Sequence, residues 1–231
     1  MTLKVFVNYI LVKIRIRHIL PNYFIKRVKV NDCKEQLVRI DTNPQITFDD
    51  RMHKPVYLRE TVYKKIKLLI DDVEKDGYSI KLYDAYRSFD DQMNSWNKRI
   101  EETKKEFPNC SEDEIIRKTS LKVSNVQDKE NVGGHQTGGA IDITLIKDGK
   151  EIDMGTKYEE YSQKTLTHNK LINETQKSNR FYLKKKLEKY DFNNFPAEWW
   201  HYSYGDKMWA AYKGKKTCIY GYIEPNDIKK E

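Results

Sequence analysis

The sequence predicts an α+β fold, a small and mainly antiparallel sheet flanked by helices. Amphipathic helical stretches and short strand-like runs mix along the chain without a strict βαβ repeat. Glycine and proline are spread without a period or a low-complexity block, so collagen-like, linker-rich and disordered classes are excluded. A chain of 231 residues, 38% hydrophobic and 34% charged, is long enough to bury one sizeable core. No run approaches the roughly 18 consecutive apolar residues of a membrane-spanning helix. Cys33, Cys110 and Cys218 are an odd set without metal-type spacing, which points to reduced thiols and not to a disulfide scaffold or a cysteine zinc knuckle.

Each element has its own signal. Leu58, Val62, Ile66, Leu69 and Val73 recur at three- and four-residue spacing before Gly77, which predicts an amphipathic helix over 57–76. The segment 79–86 alternates Ile80 and Leu82 with polar partners and reads as a strand running into Arg87. Ser88 with Asp91 opens a second helix that Pro108 stops near Phe107, and Ser111 with Glu114 opens a short third one to about Lys118. The glycine-rich stretch 133–140 is a loop feeding the strand 141–146, which Asp148-Gly149 turns into a hairpin with 151–153. Residues 175–190 are helical, with Phe181, Leu183, Leu187 and Tyr190 as the expected buried stripe. After Pro196, the aromatic run AEWWHYSY reads as a strand.

The net charge of +8 is concentrated at one end. Residues 1–31 carry Lys4, Lys13, Arg15, Arg17, Lys26, Arg27 and Lys29 and no acid, seven of the eight, so the remaining 200 residues are nearly neutral. A nucleic-acid-binding face would need its cations on the folded body among aromatic platforms, so no nucleic-acid partner is expected. The alternation from Val12 to Arg17 has the period of a strand, and the segment reads as an added strand or helix on the domain, or as a basic tail with a weak membrane-surface or anionic-polymer contact. It lacks the cleavage site of a signal peptide, which with the thiols favours the cytoplasm over export or membrane association.

The chemistry gathers around two of five histidines. His135 lies in the glycine loop seven positions before Asp142, and His201 closes Glu198-Trp199-Trp200-His201. Two imidazoles and a carboxylate are the donor set of an open catalytic zinc site, whose fourth position carries a water with its pKa lowered to about 7. Asp142 supports this because an acid inside the apolar strand Ala140-Ile141-Asp142-Ile143 needs a cation or several hydrogen bonds. Glu198 is the candidate general base. In an extended strand, however, residues three apart point to opposite faces, so Glu198 and His201 meet one metal only if the strand twists or bulges. Arg87, after Asp84 in DAYRS, has two readings: a structural pair at a strand end, or a fixed cation that stabilises a developing oxyanion. Trp199 and Trp200 are expected to pack the core, and His18, His53 and His168 to ligate nothing.

DAYRS at 84–88, GGHQTGGAIDIT at 133–144, DMGTKYEE at 153–160 and EWWHY at 198–202 together resemble, in order and rough spacing, the zinc D-alanyl-D-alanine dipeptidases of the vancomycin-resistance type. The resemblance covers about residues 38–205. It implies an α+β fold with one zinc ion per chain in a cleft on the sheet, held by His135, Asp142 and His201, with Glu198 as catalytic base and Arg87 as transition-state cation. It also implies that Glu159 anchors the substrate's ammonium, and Asp84 joins it as a substrate-binding candidate. Glu159 stands where relatives more often have aspartate, and Gly133 where many have serine. The chain is accordingly expected to divide into a basic extension of unknown role over 1–37 and a catalytic domain over 38–231. The function expected is hydrolysis of D-Ala-D-Ala or a close D,D-dipeptide. The rivals are a D,D-carboxypeptidase or endopeptidase acting on peptidoglycan stem peptides, and a silent zinc-stabilised wall-binding module.

Overall fold

The computed structural model describes residues 3–13, 18–120, 123, 133–160 and 162–224. In chain order its elements are α1 (Leu3–Lys13), α2 (Asn22–Lys26), β1 (Lys29–Val30), β2 (Leu37–Arg39), β3 (Ile46–Phe48), β4 (Tyr57–Arg59), α3 (Glu60–Glu74), β5 (Ser79–Asp84), α4 (Phe89–Glu106), α5 (Glu112–Thr119), β6 (Ala140–Lys147), β7 (Lys150–Glu151), α6 (Glu174–Lys189), β8 (Asn193–Asn194), β9 (His201–Ser203), α7 (Lys207–Tyr212) and β10 (Thr217–Cys218). The α+β class holds. A six-stranded sheet has the order β3-β5-β6-β9-β8 with β7 on the end of β6, and every pairing in it is antiparallel except β3 with β5. Two small ladders stand apart, β2 with β4 antiparallel and β1 with β10 parallel.

The core lies between one sheet face and two helices. Strand alternation turns Ile80, Leu82, Ile141, Ile143 and Leu145 toward Val62, Ile66, Leu69 and Val73 of α3 and Leu183 and Leu187 of α6, all fully buried. Burying side chains of this size contributes about 1.5–3 kcal/mol each. The same alternation leaves Asp142 for the opposite face.

Helix starts follow the expected chemistry. The Ser88 side chain accepts from Asp91 N, and Ser111 forms a reciprocal box with Glu114. Four expectations change. The helix over 57–76 begins only at Glu60, because Tyr57–Arg59 pair with Leu37–Arg39 and tertiary pairing overrides the helical spacing. In α6 it is Arg180, not Phe181, that is buried with Leu183 and Leu187; Phe181 is exposed and Tyr190 half-buried. Residues 3–13 are helical, their apolar residues being continuous and not alternating, while 14–17 of the expected strand lie outside the described residues. The expected strand after Pro196 starts only at His201; Glu198 sits in the turn before it. No helix among the described residues is long and apolar enough to cross a membrane. Cys33, Cys110 and Cys218 are free.

The basic segment is tied to the body. Leu20 N donates to Tyr212 Oη at 2.9 Å, and β1 pairs with β10. Buried Arg59 ties together three distant segments: Nη2 reaches Asp32 Oδ2 at 3.3 Å and the Gly221 carbonyl at 3.2 Å, while Nε donates to the Thr137 carbonyl at 2.7 Å.

Candidate metal centre and active site

Sheet register assembles the site. Asp84 on β5 faces Asp142 on β6, which faces His201 on β9. Residues directly opposite across antiparallel strands share a face with Cβ atoms about 4.5–5.5 Å apart, so one row delivers all three side chains together. His135 arrives from the helical turn Gly134–Thr137 just before β6, which Gly138 closes with a left-handed φ of 70°. A Cβ on Gly138 would stand 2.6 Å from Leu37 Cδ2, so both conformation and space demand glycine.

The donor atoms converge. His201 Nδ1 lies 2.9 Å from Asp142 Oδ1, His135 Nε2 lies 3.4 Å from the same oxygen, and the two nitrogens are 3.2 Å apart. His135 Nδ1 sits 2.7 Å from the Ala85 carbonyl, which only accepts, so Nδ1 donates there and Nε2 is the nitrogen left facing the cluster. Tetrahedral zinc ligands at about 2.0–2.2 Å stand roughly 3.3 Å from one another, and this triangle has that size. Among the described residues no other histidine, cysteine or carboxylate group gathers in this way. The residues present therefore fit a zinc ion. The other oxygen of Asp142 accepts from Tyr158 Oη at 2.9 Å, which fixes the carboxylate's rotation.

Charges around the cluster are strongly coupled. Burial disfavours the Asp142 carboxylate, yet His135 and His201 hold its carboxyl well below the usual range. Burial likewise disfavours a His135 imidazolium, and Asp84 and Asp142 outweigh it, raising the group to about 9. Glu198 is pushed up to about 7 by burial, with His201 and His135 pulling the other way. The turn explains how Glu198 and His201 share a side. Glu198 N donates to the Phe195 carbonyl at 2.9 Å and Phe195 N to the His201 carbonyl at 2.9 Å, while Asn194 Nδ2 grips both the Glu198 and His201 carbonyls at 3.1 Å.

Arg87, just past the end of β5, pairs with Asp84 and donates from Nη1 to Gln92 Oε1 at 2.9 Å. It lines the same cleft as His135, Asp142, His201, Glu198 and Glu159, a cavity of about 1370 Å³. One oxygen of Asp84 takes the Arg87 guanidinium and stands 3.8 Å from His135 Nδ1, and the other accepts from Ala85 N at 2.9 Å. Glu159 is at the rim in a left-handed conformation (φ 58°), its carboxyl raised by burial and its Oε2 3.2 Å from Arg51 Nη1.

Sequence reasoning passed over Arg51 and the phenol of Tyr158. Tyr158 was legible in principle as the aromatic within DMGTKYEE. Arg51 is 108 positions from Glu159 and carries no local signal. Trp199 and Trp200 are buried as expected, Trp199 Nε1 donating to Thr156 Oγ1 at 2.8 Å and the Trp200 ring meeting Tyr158 edge-on. His18 and His168 stack on each other at 4.2 Å, outside the donor cluster.

Known proteins bear on this arrangement. The profile of the D-ala-D-ala dipeptidase family matches residues 57–219. A D-alanyl-D-alanine dipeptidase of Synechocystis is 26% identical over 251 residues, covering 85% of this chain and 95% of the relative. One of Enterococcus faecalis is 28% identical over 138 residues, covering 57% of this chain and 64% of its own length. Among solved structures, a vancomycin-resistance D,D-pentapeptidase VanY in complex with Zn(II) aligns at 17% identity and a TM-score of 0.45, over 73% of this chain and 85% of that one. The span matched by the family, 57–219, takes in His135, Asp142, Glu198 and His201. The chain is a peptidase of the D-ala-D-ala dipeptidase family.

Proposed function

We propose that this enzyme hydrolyses D-Ala-D-Ala, or a close D,D-dipeptide, to free amino acids with a single zinc ion held by His135, Asp142 and His201. The observation that carries the reading is the triangle of donor atoms, 2.9–3.4 Å on each side, opening into the cleft that Glu198 and Arg87 also line. The metal, when bound, supplies Lewis-acid polarisation of the scissile carbonyl and lowers the pKa of attacking water. Glu198 accepts the proton of that water on its carboxylate and returns it to the leaving amine, a cycle favoured by a pKa near neutrality. Arg87 is held ready by Asp84 and Gln92, and its guanidinium stabilises negative charge developing on the carbonyl oxygen. Glu159 at the rim receives the substrate's free ammonium, which restricts turnover to peptides with an amine at that place.

The named activity of the relatives supports this reading. One observation favours a second: the cavity of about 1370 Å³ exceeds the 300–1,000 Å³ of ordinary small-molecule pockets, room that suits a D,D-carboxypeptidase acting on stem peptides. Glu198→Gln tests the chemistry. The variant is expected to retain zinc by metal analysis while kcat for D-Ala-D-Ala falls by at least about 10²-fold. Near wild-type turnover would remove Glu198 as the base.

A further inference from the structure

Helix α1 turns an apolar ridge outward. Leu3, Phe6, Val7 and Ile10 follow the i, i+3, i+4, i+7 spacing of one helix face, and they are 78%, 44%, 45% and 41% exposed. The helix is not inverted for want of a seat. Tyr9 stacks on Phe24 of α2 with ring centroids 4.3 Å apart, α2 packs on α7, and Asn8 lines the catalytic cleft. The opposite side of α1 is thus accounted for, and the ridge is left over. Exposed apolar side chains scattered singly need no explanation, whereas a contiguous row on one helix marks an interaction surface.

Charge identifies the partner. Residues 1–31 hold seven basic side chains and no acid, while the rest of the chain, 36 basic against 35 acidic, is nearly neutral. Lys4 and Lys13 belong to α1 itself, and Lys26, Arg27 and Lys29 follow on the segment that carries it. Eleven residues at 1.5 Å per residue make a helix of about 16 Å, half of the roughly 30 Å of bilayer hydrocarbon, so it can lie on a membrane but not span one. An exposed apolar helix face on a segment that carries cations and no acids is a pattern that adsorbs to anionic headgroups. We propose that α1 docks this enzyme on the surface of an anionic phospholipid bilayer, the ridge entering the headgroup boundary and the basic charge of the 1–31 segment supplying the attraction to lipid phosphates. Because Asn8 on α1 is also part of the cleft wall, docking brings the catalytic cleft beside the lipid surface.

Vesicle co-sedimentation of the full chain tests this. The protein is expected to pellet with phosphatidylcholine vesicles containing one-third phosphatidylglycerol, to bind phosphatidylcholine alone about tenfold more weakly, and to be released by high salt. The double variant Phe6→Ser/Ile10→Ser should lose binding to the anionic vesicles with D-Ala-D-Ala turnover unchanged. Leu3→Ser, at the most exposed position, should weaken binding several-fold and keeps the test open if the double variant misfolds. Absence of binding to the anionic vesicles, or equal binding by wild type and an active Phe6→Ser/Ile10→Ser protein, would overturn the proposal. So would a concentration-dependent dimer in sedimentation velocity that the double variant abolishes, since the ridge would then belong to a second copy.

Discussion

Asp142 divides its two oxygens between tasks, Oδ1 toward His201 and His135 and Oδ2 accepting from Tyr158, so a single carboxylate is both ligand candidate and fixed part of the wall. That it has partners is readable because an acid in an apolar strand demands them, but which partners depends on register that no local pattern encodes. Arg51 is the opposite case. Its Nε binds Asp49 Oδ1 at 2.7 Å, its guanidinium stacks over Tyr158, and its Nη1 occupies Glu159, the side chain proposed to receive the substrate's ammonium. Asp49 retains Arg51 when Glu159 changes partner, and exchange is cheap because exposed ion pairs are worth about 0–1 kcal/mol. Arg51→Gln is therefore expected to lower KM for D-Ala-D-Ala by up to about fivefold, with kcat unchanged. A raised KM in steady-state assays would show that Arg51 orients Glu159 and does not compete with the substrate.

At the scale of elements, short-range signals were legible and cross-chain pairings were not. Ser88, Ser111 and their partners three residues on announced α4 and α5 through local hydrogen bonds. The start of α3 was masked because Leu58 fits a helical stripe as well as it fits β4, and only pairing with Val38 decides between them. The strand expected to carry Glu198 failed for a related reason: the spacing objection to Glu198 and His201 sharing a metal was sound for a strand, and the structure answers it with a turn. The loop before β6 makes a sharper demand. Gly138→Ala would combine a left-handed backbone with a Cβ 2.6 Å from Leu37 Cδ2 and 3.3 Å from Arg59 N. The expected loss is at least about 1–2 kcal/mol in urea unfolding, with reduced metal affinity because His135 is carried by the same turn.

For the whole molecule, the sheet brings the candidate ligands Asp142 and His201 side by side, while the amino-terminal segment and the cleft give the site its surroundings. Acid is expected to destabilise the fold through carboxylates outside the cleft. Burial works against the Asp49 carboxylate, but hydrogen bonds from Arg51 and Lys81 hold it at about 2, and Lys189 with Lys186 holds Asp72 at about 2. Both folded values lie below the unfolded value of about 3.9, so their stabilisation is present above pH 4 and is lost as pH falls toward 2. The urea midpoint should fall across that window, and Asp49→Asn should flatten part of the fall; an unchanged slope would remove Asp49 from the linkage. The cleft's size leaves substrate length as the decisive question. Release of free D-alanine by the zinc-loaded enzyme should be measured from D-Ala-D-Ala, its N-acetylated form and a stem pentapeptide ending in the same pair. The account predicts turnover of the free dipeptide alone, whereas equal cleavage of the acetylated dipeptide or the pentapeptide would contradict it.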